Sequence, residues 1–531
     1  MSPDLDGNFP NPSGPNRRMD PLPTTRHSTV GTAFYHPVRD ALGHLISSGT
    51  LATVWFLAMY VVAGGSVRAI GTECAGSCVL GRVAGGLGWF AVGICCYYVL
   101  LFALAAYNRR TRERAVVLAP TAAEVGYTDI EAPLVVIVVP ARNEEVVIAR
   151  TVERAQSLAG EPLLLVMDDG SDDATAAVAW DAADRDRTIV FSRDVAVAGR
   201  GKGDVLNAAI GVIEGLLEID DPRLRGHDAT SIVVCILDAD GWLDPNAIEQ
   251  VAPLFHDPRV GGVQVSVRMW NARAGFLARM QDIEFVAYGH LFQGARDQIG
   301  SVLMGGNGQF MRLAALQGLG PDPWTSCLTE DLEIGLRLAR NGWRLRACPT
   351  AFVAQQALVD PRRFVRQRTR WVQGHLSCWT HLGSLWRPSA QLTLQARADL
   401  TLHLLLGAYG VLALLQVVTV VALALGFASW DGLFELHAPL GSTMVFLVLA
   451  LTPIVFVGHT YQRHAEARLP LTMLTGVMVL YTVYHYLWSM PATALALGRI
   501  ALRRNGWAKT ARSAISSHDL AADARLTGGA T

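Results

Sequence analysis

Two short aspartate clusters in this sequence have the residue types and the position that divalent-metal chemistry requires. Asp168-Asp169 and Asp238-Ala239-Asp240 each follow directly on an apolar run that predicts a buried strand. A carboxylate at the end of such a strand is costly unless it has a partner. Strand alternation would place Asp238 and Asp240 on the same side, so their charges converge. Mg²⁺ or Mn²⁺ is the partner that hard carboxylate oxygens favour.

Basic residues that suit phosphate groups stand in two other stretches. Lys202 lies in the glycine-rich turn of "GRGKGDVLNAA", residues 199–209, which opens a predicted helix. Backbone N–H groups and an ammonium at a helix start suit a phosphate, and a solvated loop lysine is the alternative. The stretch "RQRTRW", residues 366–371, gathers three arginines and a tryptophan just ahead of an apolar region. By composition alone it could equally be a basic belt that meets lipid headgroups.

A third acidic stretch, "TED" at residues 329–331, begins the predicted helix "LEIGLRLARNGW". Taken alone, it is the pattern of a helix N-terminus. Thr329 would be the N-cap, and the acids would stand in the first turn, where the helix dipole favours them. A catalytic carboxylate is the other interpretation, and it gains weight only beside the other motifs.

The two aspartate clusters lie within a region in which predicted strands and predicted helices alternate regularly. Apolar runs that predict strands cover Leu134–Val139, Leu163–Met167, Thr188–Phe191 and Ile232–Leu237, with helix-forming stretches between them. This alternation is typical of a mostly parallel sheet with helices on both faces. In open sheets of this kind ligands bind beyond the carboxyl ends of the strands, which is where both aspartate clusters fall.

Apolar segments flank this α/β region on both sides. Five runs are long and apolar enough to predict bilayer-spanning helices; they are Leu45–Val67, Val83–Tyr107, Leu400–Trp430, Pro439–Gly458 and Leu469–Gly498. Buried core helices are the alternative, and runs of this length argue against it. The chain of 531 residues has a formal net charge of −1, which argues against a nucleic-acid partner. The sequence predicts a multi-pass protein of the cell membrane.

The predicted domain plan has five parts. They are a disordered tail at 1–44, two transmembrane helices at 45–107, an α/β domain with interface helices at 128–398, about three transmembrane helices at 399–500 and a basic tail at 501–531. The arginines within 109–114 follow the second span and predict a cytoplasmic α/β domain. Three C-terminal spans would leave the basic tail outside, against the same rule. Either one apolar segment is interfacial or re-entrant, or the rule fails here.

Four motifs, taken together, closely resemble those of the inverting membrane glycosyltransferases of family 2. They are DDG at 168–170, DAD at 238–240, TED at 329–331 and Gln367-x-x-Arg370-Trp371, in this order and flanked by apolar spans. That family includes the cellulose, chitin, hyaluronan and poly-N-acetylglucosamine synthases. The resemblance implies a GT-A fold, a Rossmann-like α/β transferase domain inserted between transmembrane helices. It also implies a nucleotide sugar, usually UDP-linked, as substrate and Mg²⁺ or Mn²⁺ as cofactor.

The resemblance assigns a role to each motif residue. Asp331 would be the general base on the acceptor hydroxyl, and Asp240 would bind the metal that bridges the diphosphate. The other motif residues would hold substrate. Asp168 or Asp169 would hold the uridine, Asp238 would assist in holding the nucleotide, and Lys202 would reach the diphosphate or its sugar. Gln367 and Arg370 would hold the diphosphate, and Trp371 would pack against the acceptor sugar.

The sequence thus predicts a membrane-embedded, metal-dependent enzyme that moves a hexose or N-acetylhexosamine from a UDP-sugar to a growing polysaccharide. Transfer of a single sugar to a membrane lipid is the alternative, and a non-catalytic membrane scaffold is a third interpretation. The chain departs from the chain-making relatives at Gly306, in "MGGNGQF", where those relatives often carry threonine. It also lacks, after Trp371, the cyclic-nucleotide-binding motif and small barrel domain of the bacterial cellulose synthases.

Overall fold

A computed structural model describes residues 132–406, 455–465 and 470–502, together with 97, 99–105 and 107. The predicted tail at 1–44 and the predicted span Leu45–Val67 lie outside these residues. So do nearly all of the tail at 501–531 and the greater part of the predicted spans Val83–Tyr107, Leu400–Trp430 and Pro439–Gly458.

The domain is built on one sheet of eight strands. In chain order they are β1 (Leu134–Ala141), β2 (Leu163–Asp168), β3 (Thr188–Ser192), β4 (Ile232–Ile236), β5 (Trp242–Leu243), β6 (Val260–Met269), β7 (Gln309–Arg312) and β8 (Arg344–Gln355). Their order across the sheet is β3-β2-β1-β4-β7-β6-β8-β5. The four strands predicted from the sequence are all present and form the first half of this order.

The prediction of a mostly parallel sheet is confirmed, because six of the eight strands run in one direction and β6 pairs with β8 in parallel. β1 pairs with β2 and β4 in parallel, and β2 pairs with β3 in parallel. β7, however, runs antiparallel to both β4 and β6, and β5 runs antiparallel to β8. The sheet is therefore mixed. The change of direction at β7 follows from the 304–308 segment, which enters the sheet from the same edge at which β4 leaves it.

Helices cover both faces of the sheet. In chain order the main α-helices are α1 (Ile148–Gln156), α2 (Thr175–Asp181), α3 (Lys202–Glu218), α4 (Ala247–Val251), α5 (Phe276–Ala287), α6 (Gly294–Ile299), α7 (Leu313–Gln317), α8 (Glu330–Arg340), α9 (Pro361–Ser377), α10 (Leu382–Leu385), α11 (Leu394–Leu406) and α12 (Leu471–Ala501). A π-helix, Tyr288–Gln293, joins α5 to α6. Because both faces are covered, the central strands are continuous apolar runs rather than alternating ones.

Each face of the sheet has its own core. On one face Ile137 of β1 packs with Ile148 and Val152 of α1. On the other face Val138 packs with Leu206 of α3 and with residues of α8. The second face matters for function, because it carries the N-terminal ends of α3 and α8, where Lys202 and the TED motif stand.

The helical segments that flank the domain pack on α5. Phe102 and Leu101 belong to one apolar cluster with Ile283 of α5 and with Tyr461 and Met478 from the C-terminal segments. α12 covers the predicted span Leu469–Gly498 and holds Pro491 in its interior. Within the described residues, none of the helices combines the length and the apolarity that crossing a membrane requires.

Candidate functional site

The DDG motif stands where β2 leaves the sheet, as predicted. Asp168 is the last residue of β2, and its Oδ1 accepts hydrogen bonds from the Ser171 backbone N–H, at 3.3 Å, and from the Ser171 hydroxyl. The backbone N–H of Asp169 donates to the carbonyl of Ala141 at 2.8 Å. Both carboxylates are buried, with Asp168 and Asp169 each 4% exposed. The motif therefore forms a fixed turn at the carboxyl edge of the sheet.

Asp169 is held by the loop that follows β3. Its Oδ1 lies 2.6 Å from Arg193 Nη1, and its Oδ2 accepts the backbone N–H of Gly199 at 3.0 Å. Arg193 also bonds Asp204 Oδ2 at 2.5 Å. Arg193 was missed at the sequence level, although its place at the carboxyl end of β3 was a usable signal. The structure thus gives Asp169 a partner inside the protein, and its predicted contact with uridine stays a prediction.

Lys202 and Asp238 form the first contact between two separate motifs. Lys202 is the first residue of α3, after Gly201, whose φ of +124° is a backbone conformation that favours glycine. Its Nζ lies 2.5 Å from Asp238 Oδ1. Burial by itself lowers the pKa of Lys202, but the negative charges of Asp238, Glu330 and Asp331 outweigh it, so the pKa is raised. The lysine therefore stays charged at neutral pH and faces three carboxylates.

The DAD motif lies in a turn and not in the strand. β4 ends at Ile236, and the backbone N–H of Gly241 donates to the carbonyl of Asp238 at 2.8 Å. The prediction that strand alternation sets the directions of Asp238 and Asp240 is therefore wrong, because the extended backbone stops before both residues. Within the described residues, no three histidine, cysteine, aspartate or glutamate side chains form a group that could hold a metal ion.

The TED motif opens α8, with Thr329 at the N-cap position. The Thr329 side chain makes no capping hydrogen bond; its Oγ1 lies 3.7 Å from the Sγ atoms of Cys327 and Cys378. The prediction that Thr329 is the N-cap residue is confirmed for its position, although its side chain makes no capping hydrogen bond. The acids of the motif do stand in the first turn, where Asp331 Oδ1 accepts the backbone N–H of Leu332 at 2.8 Å.

Both acids of this motif have raised pKa values. Burial raises the pKa of Glu330 to about 7, and the charge of Asp331 adds to the effect. Burial also raises the pKa of Asp331, although the Leu332 N–H and the charges of Lys202 and Arg370 act in the opposite direction. Carboxylic acids with pKa values shifted toward neutrality are the groups that can exchange protons with a substrate near pH 7.

The arginine of the Gln367-x-x-Arg370-Trp371 motif joins this cluster. Arg370 lies on α9, and its charge lowers the pKa of both Glu330 and Asp331. Its Nε is buried and, within the described residues, has no hydrogen-bond partner. A guanidinium with an unused buried donor suits a phosphate group. Gln367 stands one turn earlier on the same helix.

A neighbouring arginine of the same stretch has a structural role instead. Arg368 is buried, and its Nη1 and Nη2 each lie 2.7 Å from an oxygen of Glu284 on α5. Its guanidinium also lies 4.4 Å from the ring centre of Trp371, which packs edge-on against Phe285. The interpretation of residues 366–371 as a basic belt for lipid headgroups is wrong for this arginine, because its charge is paired inside the protein.

The structure therefore brings residues from four distant motifs to one place. Lys202, Asp238, Glu330, Asp331 and Arg370 interact there, by direct contact or through their charges. Cations that can neutralise a phosphate group stand beside carboxylic acids that can take up a proton. Such a site can assist the departure of a phosphate and deprotonate a nucleophile.

Residues 132–374 match the family described as glycosyltransferase like family 2. The β-monoglucosyldiacylglycerol synthase of Trichormus variabilis is 29% identical to this chain over 248 residues, which are 46% of this chain and 49% of that protein. The protein of the same name in Synechocystis is 26% identical over 407 residues, 73% of this chain and 77% of that protein. The chain spans about half the length of the first curated relatives it matches.

Two further similarities are more distant. The poly-β-1,6-N-acetyl-D-glucosamine synthase of Staphylococcus aureus is 26% identical over 236 residues, 44% of this chain and 52% of that protein. The mannosyltransferase PcManGT from Pyrobaculum calidifontis, solved in complex with GDP-Man and Mn²⁺, is 18% identical with a TM-score of 0.43, and the match covers 73% of this chain and 99% of that one.

Proposed function

We propose that residues 132–374, which match glycosyltransferase like family 2, form a GT-A-like domain that transfers a sugar from a UDP-sugar to an acceptor hydroxyl with inversion. One observation carries the proposal. Asp331, a carboxylic acid with a raised pKa, stands at the N-terminus of α8, where the charges of Lys202 and Arg370 act on it.

The proposed step uses these groups in defined roles. Asp331 accepts the proton of the acceptor hydroxyl while that oxygen forms a bond to the anomeric carbon of the donor. The bond between this carbon and the diphosphate oxygen breaks, and the leaving diphosphate takes the electron pair. Lys202 and Arg370 stabilise its negative charge. Gln367 would help to hold the diphosphate, and Trp371 would pack against the acceptor.

A divalent metal fits the residues at the DAD turn. Asp238 and Asp240 supply hard anionic oxygens of the kind that Mg²⁺ and Mn²⁺ prefer. Asp240 would hold the ion, while Asp238 is paired with Lys202, whose Nζ is 2.5 Å away. When bound, the ion supplies positive charge against the leaving group.

The raised pKa of Asp331 implies a specific pH dependence. Only the deprotonated form can accept a proton, so transfer is fully active above the raised pKa and declines as the pH falls through it. We expect the acid limb of kcat/KM to lie clearly above the ordinary aspartate value of 3.8. A pH profile of initial rates measures this limb. A rate that stays constant down to about pH 4, where an ordinary aspartate titrates, would contradict the assignment.

A lipid acceptor is the form of this function that we favour. The match to the Synechocystis β-monoglucosyldiacylglycerol synthase extends over 407 residues and so continues beyond the 132–374 domain. A growing polysaccharide, the acceptor predicted from the motifs, is the second candidate. It is favoured by Gln367-x-x-Arg370-Trp371 and by the similarity to the poly-β-1,6-N-acetyl-D-glucosamine synthase.

Product size separates the two acceptors. We expect that the purified chain, incubated with labelled UDP-sugar and diacylglycerol in mixed micelles, forms a labelled glycolipid that extracts into organic solvent. Incorporation of the label would then require added lipid, and each lipid acceptor would carry only one or a few labelled sugars. Label in a high-molecular-weight glycan that forms without added diacylglycerol would contradict the lipid acceptor and favour the polysaccharide.

We also propose the location predicted from the sequence, a multi-pass protein of the cell membrane whose transferase domain is cytoplasmic. Support comes from the apolar runs outside the described residues and from the arginines at 109–114. A cytoplasmic domain would face the compartment in which the nucleotide sugar is available.

A further inference from the structure

Gln264 is a buried polar residue to which neither the motifs nor the proposed step assigns a role. It lies in β6, is 5% exposed and uses both ends of its amide. Its Oε1 accepts the backbone N–H of Gly305 at 2.7 Å. Its Nε2 donates to the carbonyls of Asn307, at 2.9 Å, and Gly308, at 3.2 Å. One side chain therefore holds the backbone of Gly305, Asn307 and Gly308. These residues lie in the segment between α6 and β7, and residues 304–308 of it are called here the 304–308 loop.

The 304–308 loop contacts the donor side of the site through Asn307. The Asn307 Oδ1 accepts the backbone N–H of Asp238 at 3.1 Å, and its Nδ2 donates to Gln355 Oε1 at 3.1 Å. Asn307 is 3% exposed, so these bonds are shielded from water. The position of the DAD turn thus depends on the position of the loop.

The same loop contacts the proposed base on its other side. Gly306 has a φ of +84°, and a Cβ at this position would lie only 2.9 Å from Asp331 Oδ2. The loop backbone therefore packs directly against the carboxylate. This contact gives a physical reason for the glycine at a position where chain-making relatives often carry threonine, since a side chain here would collide with the base.

We propose that Gln264 is a positioning residue that fixes the 304–308 loop and, through it, the distance between the DAD turn and Asp331. The inference rests on the proposed function for its catalytic consequence. The structural part of the inference is a chain of contacts from Gln264 through Asn307 to Asp238, and it does not depend on the proposed function. Displacing a reacting group by about 1 Å can cost on the order of 10²-fold in rate. The reaction rate should therefore be sensitive to the distance between the DAD turn and Asp331 that the Gln264 amide fixes.

The sheet offers a matched control next to Gln264. Gln309 of β7 is its direct partner in the antiparallel register, and it is 0% exposed. Within the described residues, neither its Oε1 nor its Nε2 has a hydrogen-bond partner. Gln264→Leu and Gln309→Leu are therefore the same substitution on neighbouring strands, at equal depth. Only the first removes hydrogen bonds to the loop.

Hydrogen exchange tests the structural part without any need for activity. In Gln264→Leu we expect faster exchange of the Gly305 amide, which loses its direct acceptor, and of the Asp238 amide, which is reached only through Asn307. Gln309→Leu should leave both amides as in the wild type. Unchanged exchange at Asp238 in a folded Gln264→Leu protein would overturn the proposal.

Kinetics test the catalytic part. We expect Gln264→Leu to lower kcat about 10²-fold with little change in the affinity for UDP. The acid limb of the pH profile of Gln264→Leu should move to lower pH. The reason is that a loosened loop admits water to Asp331 and weakens the burial that raises the pKa of this residue. Gln309→Leu should match the wild type in kcat and in the position of the acid limb. Equal rates and equal pH profiles for the two variants would overturn the proposal, whereas an inactive wild type would instead contradict the proposed function.

A milder variant covers the case in which Gln264→Leu does not fold. Gln355→Leu removes the acceptor of Asn307 Nδ2 at a position that is only half-buried. We expect it to speed exchange of the Asp238 amide while leaving that of Gly305 unchanged, because the bond from Gly305 to Gln264 remains. Protection of Asp238 equal to that of the wild type would contradict the route through Asn307.

Discussion

Asp331→Asn is expected to lower the rate of sugar transfer at least ~10²-fold while leaving the affinity for the nucleotide sugar almost unchanged. Asparagine keeps the shape of the side chain and can still accept the Leu332 N–H, but it cannot take up a proton. If Asp331 served only as a first-turn acid of α8, the same change would cost about 1 kcal/mol or less of stability and little activity. Steady-state rates and donor binding, measured on the same preparation, separate the two roles.

The neighbouring acid supplies the control. Glu330→Gln should be milder, because the pKa of Glu330 is raised to about 7, so that a neutral side chain at this position is already well populated at neutral pH. Near wild-type transfer by Asp331→Asn would show that the base lies elsewhere. A larger loss in Glu330→Gln than in Asp331→Asn would move the assignment to Glu330.

Asp240→Asn is expected to abolish transfer while leaving the protein folded in detergent. The substitution replaces an anionic oxygen by a neutral amide at the position where the metal is proposed to bind, and divalent ions favour anionic oxygen ligands. EDTA should inactivate the wild type in the same way, and added Mg²⁺ or Mn²⁺ should restore it. Initial rates with and without chelator measure both effects.

A nearby aspartate serves as the matched control for this change. Asp244 follows the DAD turn, and its Oδ1 accepts the backbone N–H of Asn246 at 2.9 Å, a bond that asparagine can keep. Asp244→Asn should therefore retain activity and metal response. Transfer that survives both Asp240→Asn and EDTA would end the metal assignment.

Half of the sheet could be predicted from the sequence, for a physical reason. β1, β2 and β4 are buried on both faces, so they appear as continuous apolar runs with helices between them, whereas β3 is a partly exposed edge strand. β6 interrupts its apolar pattern with Gln264 and Ser266, and β5 has only two residues. Such strands are defined by partners far along the chain, and local patterns do not reveal those partners.

The candidate site shows the same division. Lys202, Asp238, Asp331 and Arg370 were predicted from the resemblance to family 2 and lie together in one electrostatic cluster. Arg193 and Gln264 were missed, because their roles depend on contacts 24 and 41 positions away, with Asp169 and Gly305. No local pattern signals such a contact for Gln264, whereas the place of Arg193 at the carboxyl end of a predicted strand was a usable signal.

The central claim, that this chain breaks a sugar–diphosphate bond with Asp331 as base, is tested most directly by nucleoside diphosphate release. The purified full chain would be incubated with acceptor and with UDP-glucose, UDP-N-acetylglucosamine, UDP-glucuronate or GDP-mannose in turn, beside Asp331→Asn. We predict acceptor-dependent release of UDP from at least one UDP-sugar, lost in Asp331→Asn although the variant still binds the donor. No release from any donor, or equal release by the wild type and Asp331→Asn, would contradict the claim.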